Sequence, residues 1–453
     1  MSQKKVTRRQ FLGNSGKAAA GVSAGVTLST MIRDAEGAEA NDSFNVGIIG
    51  CGIMGRGNMR FLMKTEQCKI VGLCDVDPAH TEKAAKQVQD IGGNKAYMTK
   101  DHRRILDDKD IDLVVISTPD HWHAIQMMEA CAAGKDIYCE KPCSHNIREG
   151  RLMLEAARKY NRIVQVGTLQ RSMPHIIEAR KFIQAGKLGE ISMTNTYNYG
   201  NEAPEGLGPY EMTSPPKGVD YDRWLGPAPK HAFNDHRWHH SWRWFFEYGA
   251  GMIGDWNVHL QDIIMWAMGT PYPKSVSVEG GKYVLTDDRN TPDTMVATYD
   301  FGDYVHSYTM RKASGKPWWK GGYGMDFHGS NGKLHLTREG WEVDADEKQW
   351  GGDSHELRTE NFEKEGGTDY MPHMHNFLDC VRSRKTPNAS IELHYPTVVA
   401  CHLANVSYKV DRKIYWDHEK ELCFKDAELT EEDKEANQHL DREYRKGYEL
   451  PNV

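Results

Sequence analysis

The sequence predicts an α/β protein: a doubly wound parallel sheet, followed by an α+β domain whose large open sheet is mostly antiparallel. Three observations point there. Between Phe44 and about Val166, short Val- and Ile-rich runs (FNVGIIG, KIVGLCD, DLVVIST, KDIYCE, RIVQVG) alternate with helix-length segments such as HTEKAAKQVQDIG and HAIQMMEACAAGK. Strands that are apolar on both faces and separated by helices build a parallel sheet covered on both sides. After about Gly167 the rhythm becomes period-two, as in ISMTNTYNYG, SVSVEG, TMVATYDFG and VHSYTMR, which suits an antiparallel sheet with one packed and one polar face. The length, 453 residues, exceeds one ordinary domain.

The segments follow in order. Residues 1–40 contain TRRQFLG, in which Arg8 and Arg9 precede Phe11, Leu12 and a Gly-, Ala- and Ser-rich run, and they close on Ala38-Glu39-Ala40, a small-x-small cleavage signal. This reads as a twin-arginine leader, whose route exports folded proteins, and it implies a periplasmic location. Lys17 and Arg33 interrupt its apolar part, so it is a poor anchor, and no later stretch has the length of an apolar membrane span. Residues 41–166 are expected to form the parallel-sheet domain, with Gly134 stopping the helix before KDIYCE. Residues 167–417 are expected to form the second domain. It begins with a helix over HIIEARKFIQAG, continues through a Pro- and Gly-rich loop region at about 200–250 and the alternating strands, and ends in helices at HMHNFLDCVRS and YPTVVACHLANVSYKV. The acidic segment 418–453 fits either a solvated helix or a wrapping arm.

Net charge is −7 for the whole chain and −10 without residues 1–40, which argues against nucleic acid or an anionic membrane surface as partner. Nine cysteines is an odd number, and none shows CxxC spacing. Buried free thiols are expected, in keeping with folding in a reducing compartment.

VGIIGCGIMG (46–55) directly follows a strand and precedes a helical pattern. In Gly50-x-Gly52-x-x-Gly55 the first glycine permits a tight turn, the second lets backbone approach a pyrophosphate, and the third lets helix and strand pack closely. Ile53 and Met54 open the helix whose free N–H groups face the phosphates. The next strand ends at Asp75, twenty residues beyond Gly55. A carboxylate there accepts hydrogen bonds from an adenosine ribose and repels a 2′-phosphate, so NAD is expected rather than NADP. The first domain therefore reads as a Rossmann-type dinucleotide fold.

CEKPCSH (139–145) ends the run KDIYC. The carboxyl ends of parallel strands face the ligand crevice, so Glu140 and Lys141 should point at the cofactor, and Lys141-Pro142 invites a tight turn. Taken alone, a lysine after a strand is more often a solvated surface residue. In YGAGMIGDWNVHLQD (248–262), Asp255 and His259 stand four apart, on one face of a helix. Spacing alone fits equally a base with its orienting carboxylate or a helix-end Asp beside a core His. Residues 221–266 hold six of the 12 tryptophans, interleaved with Asp, His and Arg. Rings that stack on a sugar face and polar groups that bind hydroxyls make such a lining, with Arg237 and Trp242 as candidates, although aromatic clusters are more often core. His236, His239 and His240 are loosely spaced, and no carboxylate or cysteine set completes a metal site around them, so no metal is expected.

STPDHWH (117–123), CEKP (139–142), QVGTLQR (165–171), RWLGP and GDWNVHLQD, behind an amino-terminal GxGxxG, resemble the Gfo/Idh/MocA family of sugar and cyclitol oxidoreductases. The resemblance covers nearly all of the chain after the leader. It implies that Lys141 is catalytic beside the nicotinamide and that Asp255 and His259 are active-site residues. It also places Thr118, Pro119, His121, His123, Glu140 and Gln170 at the cofactor and Arg171 at the substrate. The reaction implied is hydride transfer from a ring hydroxyl of a sugar, glycoside or cyclitol to NAD. His259 takes the proton, Asp255 orients it and Lys141 steadies the alkoxide, unless lysine and histidine exchange roles. An exported protein meets no free NAD, so the cofactor is expected to be tightly bound. The alternatives are a redox-neutral NAD-dependent glycosidase or lyase passing through a 3-keto sugar, and a non-catalytic sugar-binding protein. A homodimer or homotetramer through the second sheet is expected.

Overall fold

In the computed structural model, residues 43–452 are described, apart from 211, 317–320, 347–356, 358–359 and 364–367; the expected twin-arginine leader lies outside the described residues. The apolar runs of the first half become β1 (Phe44–Ile49), β2 (Cys68–Cys74), β3 (Tyr97–Thr99), β4 (Leu113–Ile116), β5 (Asp136–Cys139) and β6 (Val164–Val166), an all-parallel sheet in the order β3-β2-β1-β4-β5-β6. Successive strand residues point to opposite faces, and here both faces are covered. Val46, Ile48, Leu113, Val115 and Tyr138 enter one apolar cluster, and Ile49, Val114, Ile116, Ile137 and Cys139 enter another.

The intervening helices are α1 (Ile53–Lys64), α2 (Pro78–Gly92), α3 (His102–Asp107), α4 (Asp120–Ala132) and α5 (Ile147–Lys159). Strand order reverses between β1 and β4, which opens a crevice at the carboxyl ends of the strands. Asp77 caps α2 through its Oδ1, which accepts from the Ala79 amide at 2.9 Å. Gly134 ends α4 in the left-handed region, at φ +76°.

The second part begins with α6 (Pro174–Gln184), β7 (Ile191–Tyr199), α7 (Tyr221–Leu225) and α8 (Val258–Met268). It continues with β8 (Ser275–Gly281), β9 (Thr294–Asp300), β10 (Val305–Arg311), β11 (Tyr323–Gly329), β12 (Gly332–Leu336), β13 (Gly340–Ala345) and β14 (Glu360–Glu363). After α9 (Met371–Ser383) and α10 (Ile391–Val410), β15 (Ile414–Asp417) and β16 (Leu422–Phe424) complete a ten-stranded sheet in the order β14-β13-β12-β11-β7-β10-β9-β8-β15-β16. Only the β7–β10 pair is parallel. Along β9, Met295, Ala297 and Tyr299 are buried, whereas Val296, Thr298 and Asp300 are exposed, so one face is packed and the other open. Val398, Cys401 and other α10 residues share the apolar cluster of the packed face with Val276, Ala297 and Tyr308.

After the short α11 (Lys434–Gln438) the acidic segment returns to the first sheet's helices. Arg442 donates to the His121 carbonyl at 2.7 Å and pairs with Glu149 at 2.6 Å, and Arg445 donates to the Gly226 carbonyl at 2.7 Å. The nine cysteines are all free, and all but the half-buried Cys68 are buried. Among the described residues no helix is long and apolar enough to cross a membrane.

Candidate active site

The glycine-rich turn shapes one end of a cavity of about 430 Å³. Gly50 has φ +88°, and a Cβ there would meet the Ser117 carbonyl at 2.6 Å; one on Gly55 would meet the Gly50 oxygen at 1.8 Å. Gly52 faces open space and caps α1 without any side-chain hydrogen bond, so the first N–H groups of the helix are left for a ligand. Asp75 sits beside this turn, its carboxylate accepting from the Cys51 amide at 2.8 Å and the Asp77 amide at 2.9 Å, with His80 Nδ1 at 3.3 Å. An uncapped helix end, bare backbone at Gly52 and a carboxylate twenty residues further on fit a dinucleotide.

At the other end, β5 delivers Glu140 and Lys141. The Glu140 carboxylate is buried and accepts from Asn58 Nδ2 at 2.8 Å and from the Lys141 amide at 3.2 Å. Burial pushes its carboxyl up. The Lys141-Pro142 bond is cis, and Lys141 Nζ donates to the Asp255 carbonyl at 2.5 Å and to Asp255 Oδ1 at 3.1 Å. Arg243 Nε lies 3.6 Å from the same oxygen. Burial pushes the Asp255 carboxyl up, but Lys141 and Arg243 outweigh it and hold it at about 2.

This corrects the expected Asp–His pair. Ile253–Asn257 forms a π-helical turn ahead of α8, so Asp255 and His259 are not one α-turn apart. Asp255 serves Lys141, and His259 Nδ1 is buried without a hydrogen-bond partner. Burial, followed by the charges of Arg338 and Lys141, pushes the imidazole well below its ordinary range, so it is neutral. Asp120 also lines the cavity, and burial raises its carboxyl well above the usual range despite Lys141.

The expected residues divide clearly. Gly50, Gly52, Ile53, Met54, Asp75, Thr118, Pro119, Glu140, Lys141, Trp242, Asp255 and His259 line the cavity. Gly55, His121, His123, Gln170, Arg171 and Arg237 do not. Gly55 packs on Gly50. His121 bonds the carbonyls of Trp224 and Tyr248, and His123 those of Pro142 and Thr118, so both are struts between loops. Gln170 is fully buried away from it. Arg171 is bound by Asp262 at 2.6 Å and 2.9 Å, and Arg237 by Glu247 at 3.1 Å; a guanidinium already paired with a carboxylate is not free for substrate. Arg338, Tyr370, Asp120 and His80 were not singled out from sequence, although Asp120 lies within the STPDHWH motif; no motif marks the other three.

The histidine cluster also differs from expectation. His236 pairs with Asp288 at 2.7 Å, and His240 lines the cavity. His239 meets Asp77 at 2.9 Å, and Asp77, His80 and His239 place one ligand atom each within 4.8 Å of one another. The carboxylate that completes the group comes from the other domain, 162 residues away.

The same contact belongs to a strap. Residues 218–248 cross the cavity: the Gly218 carbonyl accepts from Lys100 at 2.5 Å, the Asp220 amide donates to Val76 at 3.1 Å, and Arg223 pairs with Asp101 at 3.0 Å. Tyr248 accepts from the His121 amide at 3.2 Å.

Residues 44–168 match the family described as "Oxidoreductase family, NAD-binding Rossmann fold", and residues 175–333 its "C-terminal alpha/beta domain". The chain belongs to the Gfo/Idh/MocA oxidoreductase family. Levoglucosan dehydrogenase of Pseudarthrobacter phenanthrenivorans is 33% identical over 163 residues, 34% of this chain and 41% of that enzyme. Inositol 2-dehydrogenase/D-chiro-inositol 3-dehydrogenase of Lactiplantibacillus plantarum is 28% identical over 162 residues, 35% of this chain and 45% of that one. The chain thus spans about two fifths of the length of the curated relatives it matches. A solved levoglucosan dehydrogenase, in complex with NADH and levoglucosan, superposes with a TM-score of 0.64 at 19% identity, covering 82% of this chain and 99% of that one. Within the Gfo/Idh/MocA fold, then, the glycine-rich turn belongs to the NAD-binding domain.

Proposed function

We propose that this protein is an exported, periplasmic oxidoreductase that removes hydride from a ring hydroxyl of a sugar, glycoside or cyclitol, using tightly held NAD. One observation carries the reading: Lys141, Asp255 and His259 converge on the cavity whose far end is the uncapped, glycine-rich start of α1. Sugar and cyclitol dehydrogenases among the relatives support the substrate class. Bound NAD would supply the hydride acceptor. The chain's own residues do the rest. His259 lines the cavity and is held neutral, so its imidazole takes the substrate hydroxyl proton. The Lys141 ammonium, held in place by Asp255, stabilises the oxygen as negative charge develops. Asp255 remains ionised throughout, so its part is to fix the lysine rather than to carry a proton.

The test is mass spectrometry of small molecules released from purified protein, followed by a sugar panel read at the nicotinamide absorbance. Phenol release from aryl glycosides without net NADH would instead establish the redox-neutral alternative. A dimer through the open sheet face, where Val296 and Val305 are exposed, is part of the proposal and is checked by solution scattering.

Two further results are expected. Because His259 is held neutral, kcat/KM should show no ionisation of this residue between about pH 6 and pH 8; a limb in that window that disappears in His259→Asn would contradict the assignment. Retention of NAD is attributed to the strap. Removing its bond to Asp77 in His239→Ala should speed nucleotide release about fivefold, the scale of one half-exposed hydrogen bond to a charged group. Release is followed by NADH fluorescence during a chase with excess NAD, and an unchanged rate would remove His239 from the latch.

A further inference from the structure

The inference here rests on the oxidoreductase reading and narrows its substrate. The catalytic end of the cavity carries more positive charge than proton and hydride transfer require. Lys141, Arg243 and Arg338 all line it, whereas Asp255 is the carboxylate there that is firmly ionised and it is already committed to Lys141. Asp120 and Glu140 are pushed toward their neutral forms by burial.

Arg338 is the telling member. The fully buried arginines Arg171 and Arg289 are held by a carboxylate, Asp262 at 2.6 Å and Asp287 at 2.7 Å, whereas Arg338 is half-buried. Arg338 forms no ion pair among the described residues. Its neighbour Glu339 turns away and accepts from the Tyr323 hydroxyl at 2.9 Å and 2.7 Å. The Arg338 guanidinium lies 4.8 Å over the Trp256 ring, its Nε is buried without a partner, and the Trp256 ring stands 6.0 Å from that of His259. A planar fork laid on an indole, open to the cavity and one ring away from His259, is built to take a carboxylate in two parallel hydrogen bonds.

We propose that the substrate is a carboxylate-bearing sugar of the uronate type, with its carboxylate on Arg338. A carboxylate on Arg338 also offsets one of the charges that, after burial itself, depress the His259 imidazole.

The experiment uses the holo protein and paired methyl glycosides of gluco, galacto and manno configuration, each as the uronate, the neutral sugar and the 6-sulfate. Nicotinamide reduction should favour a uronate over its neutral partner by about 100-fold in kcat/KM, the scale of a desolvated charge-assisted pair. Arg338→Met should cut that ratio at least tenfold, mostly through KM, and Arg338→Lys should restore part of it. Calorimetric binding to the NADH-loaded protein gives a second readout. Uronate binding that depends on Arg338 without any hydride transfer sustains this inference and defeats the oxidoreductase reading. Preference for a neutral sugar or a sulfate, a ratio indifferent to Arg338→Met, or no uronate binding at millimolar concentration overturns the inference itself.

Discussion

Lys141→Ala is expected to lower the rate of hydride transfer by about 10³-fold, the scale found when a preorganised charge at the reacting oxygen is removed. The ammonium is not a loose surface group. Two hydrogen bonds to Asp255, one to the backbone carbonyl and one to the carboxylate, fix it at the end of the cavity, while the Glu140 carboxylate holds its amide. Orientation is therefore set before substrate arrives and costs nothing during the reaction. Lys141→Arg should recover little, because a planar fork cannot reproduce a point charge held by one carboxylate and one carbonyl. The measurement is single-turnover absorbance at matched nucleotide occupancy, with NADH fluorescence to show that the cofactor site is intact. An unchanged rate in every assay would favour a sugar-binding protein without catalysis.

Asp262→Asn is expected to cost about 3–5 kcal/mol of stability, the scale for leaving one member of a buried ion pair alone. Asp262 is fully buried. It accepts from Arg171 Nε at 2.6 Å and Nη2 at 2.9 Å and from Thr397 Oγ1 at 3.0 Å, with His394 Nδ1 at 3.4 Å. Burial pushes this carboxyl up, but Arg171 and His394 outweigh it and hold it far below the usual range. A carboxyl depressed in the folded state contributes stability that is complete above its unfolded value of about 3.9 and is lost as pH falls below that. The deficit of the variant, read by urea unfolding, should therefore be full at neutral pH and shrink in acid. Asp262→Asn with Arg171→Met should recover much of the loss, since replacing both partners of a buried pair by uncharged groups is often nearly neutral. If the double variant is no better than the single one, the loss comes from Thr397 and His394 rather than from a stranded guanidinium.

Arg171 shows how far sequence reading reaches. The motif QVGTLQR is local and legible, and it draws attention to a conspicuous arginine. What the guanidinium does depends on Asp262, 91 residues later, and that partner is one aspartate among many until the chain is folded. Asp255 and His259 carry the same lesson at short range. Their spacing was plain, but the π-helical turn at Ile253–Asn257 rotates one against the other, and Asp255 turns to a lysine 114 positions earlier. Arg338 carried no signal at all, because an unpaired arginine is recognisable only when the acids that could have reached it are seen to point elsewhere.

Lys141 stood out only through the family resemblance, whereas sequence alone determined the two kinds of sheet and the glycine-rich turn with Asp75. These follow from periodicity and from residues within about twenty positions of one another, where backbone geometry dictates the outcome. Only the tertiary structure decided which charges meet: Lys141 with Asp255, Arg171 with Asp262, His239 with Asp77, and Arg338 with no acid among the described residues. Charges brought together across about ninety or more positions are selected by packing, and packing is a property of the whole fold rather than of any stretch of it.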